Sequence, residues 1–154
     1  MNRTYRATIR FKPISSTPTE AAEWGYTNTD SDAFPRWSED PSWRIVDADW
    51  TSWVVLNVAW PANDAFMAPG AIVDDGALYA HVLRRKASIW RKLWIFTKIE
   101  DGTSHHDEHV ELFKLTEFVV HPQSSRGHMV LSGEAIPVQS IHGKVQHRAA
   151  SFVY

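Results

Sequence analysis

The chain is predicted to be mostly β, a two-sheet antiparallel sandwich with one amphipathic helix at about residues 88–99. Three observations lead there. Several short segments alternate apolar and polar residues with period two. Proline- and glycine-rich turns separate those segments. One stretch alone changes to three- and four-residue apolar spacing, the period of a helix.

The first strand spans Thr4 to Lys12: Tyr5, Ala7, Ile9 and Phe11 fall on one side, and Thr4, Arg6, Thr8, Arg10 and Lys12 on the other. Pro13 ends it, because proline lacks the N–H a ladder needs. Residues 14–41 are rich in Ser, Thr, Pro, Asp and Glu without a sustained period, which predicts a long loop or insertion. Phe34, Trp37 and Trp43 could pin it to the body.

Trp43 to Val46 reads as a short strand, and Asp47-Ala48-Asp49 as a turn. Thr51 to Trp60 is the strongest strand, with Val54, Leu56, Val58 and Trp60 on one face and Trp53, Val55, Asn57 and Ala59 on the other. Apolar residues on both sides imply a covered strand, whose faces could form ordinary core or line a cavity. Phe66 and Met67 follow in an irregular crossing between Pro61 and Gly70, and flexible Met suits either a core gap or an adaptable wall.

Asp74-Asp75-Gly76 is a turn that presents two carboxylates, which could hold Mg²⁺ or Ca²⁺ or simply form the turn. Ala77 to Arg84 is a strand, and Arg84-Arg85-Lys86 a basic knot. Ser88 can cap the helix, since its hydroxyl can accept from an orphan N–H of the first turn. Ile89, Lys92, Leu93, Phe96 and Ile99 share one helix face, with Ile95 beside it. Asp101 to His109 gathers three histidines and several carboxylates, but the spacing matches no standard zinc pattern and reads as a loop. Val110 to His121 is the next strand, with Phe113, Leu115 and Val119 on its more apolar face. Pro122 to Gly127 is a hairpin loop, His128 to Leu131 a returning strand, and Ser132-Gly133-Glu134 a turn. Alternation over Val138 to Val145 and an apolar run at Ala149 to Tyr154 close the sheet.

Composition narrows the function classes. A length of 154 residues and an apolar fraction of 44% fit one domain with one core. The net charge of -2 speaks against a nucleic-acid partner. There are no cysteines, so disulfides and thiolate sites are excluded, which fits a cytoplasmic protein. Polar and charged residues follow Met1, which predicts no signal peptide. Eight tryptophans suit cores, interfaces and lipid–water boundaries. Trp90, Trp94, Arg84, Arg85, Lys86 and Arg91 together could face an anionic membrane surface, so peripheral membrane attachment is one expectation.

Tyr5-Arg6, the strand pair from Trp43 to Trp60, Ala68-Pro69, Asp75-Gly76, Ser88 to Gly102 and Gly133-Glu134 follow one another in an order and spacing that resemble the C-terminal lobe of the sphingosine kinases and related diacylglycerol-kinase-like lipid kinases. The resemblance covers about residues 3–12 and 43–152. It implies a lipid cavity under the helix, lined by Val54, Leu56, Phe66, Met67, Ile95, Phe96, Ile99 and His105. It implies a magnesium site at Asp75 and a general base at Glu134, although Ser132 stands where the family usually has aspartate. It implies ATP and Mg²⁺ as cofactors of a complete kinase acting on a long-chain base or related lipid. No Gly-Gly-Asp-Gly-Thr loop, G-x-x-x-x-G-K-[ST] loop or G-x-G-x-x-G loop occurs. The chain is therefore expected to be a partial lobe, inactive alone, that an ATP-binding lobe completes in cis or in trans. A non-catalytic lipid-binding or membrane-docking module, or a regulatory subunit, is the alternative.

Overall fold

The computed structural model describes residues 5–14, 42–84, 87–125 and 127–147, with only the backbone at 46–48. The insertion from residue 15 to 41, the basic pair Arg85-Lys86 and the closing strand at 149–154 lie outside the described residues.

Seven antiparallel strands and one α-helix make up the described elements: β1 (Tyr5–Pro13), β2 (Arg44–Leu56), β3 (Leu78–Arg84), α1 (Ile89–Thr97), β4 (Val110–Pro122), β5 (Met129–Leu131), β6 (Glu134–Ile136) and β7 (Ile141–Lys144). The mostly-β antiparallel class with one helix is as predicted. Its two layers are halves of a single sheet ordered β1-β2-β3-β4-β7, and β1 also pairs with β4. One layer holds β3 with the second half of β2 and the first half of β4. The other holds β1 with the first half of β2, the second half of β4, and β7.

Two bulges let the long strands serve both layers. In β2, Trp50 lies opposite Arg84 and Ser52 opposite Leu83, so Thr51 is the extra residue. In β4, Glu117 lies opposite Lys12 and Leu115 opposite Pro13, so Thr116 is the extra residue. An unpaired residue shifts the alternation by one and sharpens the twist. The core faces shift accordingly, from Trp50 to Trp53 and Val55 along β2, and from Phe113 and Leu115 to Phe118 and Val120 along β4. This corrects the strict alternation read for β4, which grouped Val119 with Phe113 and Leu115. It also corrects the turn read at Asp47-Ala48-Asp49. Those residues continue β2, facing Thr8, Ala7 and Arg6 of β1 in an unbroken ladder whose pairing outweighs the local turn preference.

The interlayer core is aromatic as well as aliphatic. Ala7, Ile9 and Phe11 enter from β1 as the alternation predicts, and Phe11 stacks on Phe113 with ring centres 5.3 Å apart. The β5–β6 hairpin turns on Ser132 and Gly133, both at positive φ (51° and 88°), as a two-residue type I′ turn requires.

The helix lies on the outer face of the β3 layer. Ser88 caps it by accepting the Arg91 N–H at 3.2 Å. Thr97 Oγ1 donates to the Trp94 carbonyl, and Gly102 leaves the exit at φ 71°, where a residue with a side chain is strained. The buried face is not the apolar one. Lys92 (4% exposed) and Ile95 face inward, Ile95 beside Leu83, Ala87 and Val110. Ile89, Trp90, Leu93, Trp94 and Phe96 are exposed, Trp90 to 78%. Of the residues read as one helix face, Ile89, Leu93 and Phe96 are exposed and Lys92 is buried, so that face does not pack on the sheet as a unit.

Candidate functional site

A cavity of about 360 Å³ opens between the two layers, away from α1. Ala7 and Ile9 of β1, Trp53 and Val55 of β2, and Phe118 and Val120 of β4 form its walls. Met129, Val130 and Leu131 of the β5–β6 hairpin, with Val138 and Ile141, border it on the remaining side. Arg6, Ser52, Ser124 and His128 supply its polar lining. An apolar void with a few polar groups, at the small end of the range for ligand sites, is the form such sites usually take. Phe118 owes its place to Gly143, since its ring occupies the space a side chain on that residue would need. Trp50 and Trp53 line the cavity, and their buried indole N–H groups have no acceptor among the described residues.

The residues that the family resemblance assigns to a lipid gather elsewhere. Val54 and Leu56 lie on the opposite face of β2 from Trp53 and Val55, and Leu56 packs on Ala68, Ala77 and Tyr79. Phe66 stacks on Trp60 with ring centres 4.5 Å apart, and its N–H donates to the Ile99 carbonyl at 2.9 Å. Met67 is half-buried and bonds through its N–H to the Ala59 carbonyl. Ile95 and His105 are buried, Ile99 is half-buried and Phe96 is 59% exposed. None of these eight residues lines the cavity. The strand register could not reveal it, because the residues that wall the cavity, such as Val55 and Val120, alternate like ordinary core positions.

Beneath α1, beside the apolar cluster of Leu83, Ala87, Ile95 and Val110, several buried groups are polar. Nε2 of His81 sits 3.2 Å from Ser104 Oγ, and burial beside His105 pushes the His81 imidazole down to about 4. Burial, together with neighbouring His106, also lowers His105. Asp107 accepts the His109 N–H at 2.9 Å and pairs with Arg91. On the other, interlayer face of the same strands, Glu111 lies opposite Val82 and pairs with Arg84, yet burial outweighs that cation and raises its carboxyl. The histidine-rich loop thus folds into a 3-10 turn at Ser104–His106, and no group of three or more metal-ligating side chains occurs among the described residues.

At the far end of the same outer face, Asp75 accepts the Ala77 N–H at 2.9 Å and the Tyr79 hydroxyl, while Lys114 Nζ lies 2.9 Å away. Burial opposes ionisation, but these three partners together hold the carboxyl below its usual value. Burial and the adjacent carboxylate raise Tyr79. The Asp75 oxygens are already engaged, with an ammonium where a divalent cation would sit, so this arrangement does not fit Mg²⁺. Glu134 is exposed on the hairpin, opposite Leu131 in register. In comparisons with known proteins, no family model and no curated protein matches this chain.

Proposed function

We propose that this chain is the lipid-binding lobe of a sphingosine-kinase-like enzyme, and that the cavity between the sheet layers takes the alkyl tail of a long-chain base or related lipid. The interlayer cavity itself carries the reading. It is walled by Ile9, Val55, Phe118 and Val120, large enough for part of an alkyl chain, and edged by polar Arg6, Ser124 and His128, which suit a head group. In the complete enzyme an ATP-binding lobe would supply the γ-phosphoryl group and its Mg²⁺, and this lobe would hold the lipid hydroxyl in line for transfer. Glu134, exposed in the β5–β6 hairpin whose Met129, Val130 and Leu131 border the cavity, is the base this reading assigns to that hydroxyl.

Native mass spectrometry with sphingosine and with diacylglycerol tests the reading. The expected result is a one-to-one lipid adduct that Val120→Phe, which fills the cavity, weakens at least tenfold. A folded chain that takes up neither lipid, or a Val120→Phe variant that binds like the parent, would overturn it. In the second case Leu56→Trp, on the helix side, asks whether the lipid lies where the family resemblance puts it.

A further inference from the structure

We propose that the outward face of α1 inserts into the interfacial layer of a lipid bilayer, held there mainly by apolar burial and only secondarily by charge. A surface helix normally turns its apolar stripe to the core. Here Ile89, Trp90, Leu93, Trp94 and Phe96 are all exposed, and at about 100° per residue they sweep an arc of roughly 160°. Only Thr97 interrupts it. The inward face is already occupied, by Lys92, by Ile95 and by Arg91 bound to Asp107, so the helix cannot roll over to hide the stripe without stranding Asp107. Next to its C-terminal end stands the stacked pair Trp60 and Phe66, the latter tied to Ile99, with Trp60 half exposed.

The chemistry of the patch selects its occupant. Tryptophan places an apolar ring and one polar N–H at the level of lipid head groups, and long cationic side chains reach from an apolar face toward phosphates. Both features meet at Trp94, over which lie the Arg91 guanidinium at 4.7 Å and the Lys98 ammonium at 5.8 Å. Two cations, Arg91 and Lys98, flank the exposed face, Lys92 being buried, and no carboxylate occurs from Ile89 to Lys98. A second copy of the same face would therefore offer no opposite charge, whereas head-group phosphates do. Asp107 and Asp101 partly neutralise Arg91 and Lys98, so the surface is not strongly basic and burial of the apolar arc must supply most of the affinity. This inference stands apart from the cavity reading and does not need it.

Vesicle co-sedimentation of the whole chain tests it. The expected result is binding to phosphatidylcholine vesicles that persists at high salt, with a modest gain from phosphatidylserine at low salt only. Phospholipids brominated on the acyl chain should quench tryptophan fluorescence. Trp90→Glu combined with Leu93→Glu should weaken partitioning roughly tenfold or more, given the apolar area lost, with an unchanged circular dichroism spectrum. Val120→Phe should leave vesicle binding intact, which separates a failure of this inference from a failure of the cavity reading. No sedimentation with either vesicle, or a double variant that partitions like the parent, would overturn the proposal. So would a dimer that the double variant splits, in a chain that ignores vesicles, because the face would then be a contact between copies.

Discussion

Strands β2, β3 and β4 bury different material on their two faces. Between the layers the buried groups are Ile9, Phe11, Val82, Phe113 and Leu115, and the packing leaves a void. On the outer face, His81, Lys92, Ser104, His105 and Asp107 are buried around α1, and two ion pairs (Arg91–Asp107 and Lys114–Asp75) are set into it, while the Arg84–Glu111 pair closes the end of the inner face beside Val82. The contrast follows from what each kind of group tolerates. An apolar wall can face unfilled space at the modest cost of lost dispersion contacts. A buried charge without its partner costs several kcal/mol, so the polar face has to close tightly. A ligand cavity therefore belongs on the inner face and a fixed helix on the outer one.

Three measurements would break or sharpen that comparison. The largest effect is expected for Leu115→Ala, at a fully buried site in the well-packed part of the inner core. It should cost roughly 2–5 kcal/mol in urea unfolding, and a loss under 1 kcal/mol would mean that the inner core is loose throughout, not only at the cavity.

Acid is expected to act mainly through the outer-face histidines. His81 ordinarily titrates near 6.5 and is held to about 4 when folded, so between those values the unfolded chain binds more protons and stability falls as pH falls. The full effect amounts to roughly 3 kcal/mol, and His105 adds to it in the same direction. Glu111 works oppositely: its raised carboxyl adds stability at low pH that is lost as pH rises through the folded value. Urea midpoints at pH 7, 6 and 5 should therefore fall in the parent, more steeply in Glu111→Gln and less in His81→Asn. A parent midpoint that stays level from pH 7 to 5 would remove the buried histidines from the account.

The smallest effect is expected for Val120→Phe, which adds volume where space exists. Its stability should stay within about 1.5 kcal/mol of the parent. A larger loss would mean that the cavity cannot accept a ring.

The first strand and the helix could be read directly, because each obeys a single rule along its whole length. Tyr5 to Phe11 alternates without interruption, and Ser88 precedes a helical period as a cap should. What escaped reading depends on contacts between segments distant in the chain. Thr51 and Thr116 look like ordinary strand residues, yet each is the unpaired residue that exchanges the two faces of its strand. The same holds for α1. Its apolar period is real, but periodicity cannot say which way a stripe points. Here Arg91 reaching Asp107 and Ile95 reaching Leu83 and Val110 decide the orientation. The cavity has no sequence signal of its own, since Val55, Val120 and Ile141 resemble any other core residues until the layers part.

The contact between Phe66 and Gly102 has a kinetic meaning. The Phe66 N–H is bonded to Ile99, and its ring fills the space beside the one residue of the helix exit that has no side chain. The crossing after β2 and the turn after α1 are thereby tied together across β3. Neither can open while the other stays shut, so they form one cooperative opening unit in the native state. Backbone amides at Phe66, Gly102 and Thr103 should exchange with solvent deuterium at a common rate, and Gly102→Ala should speed all three together.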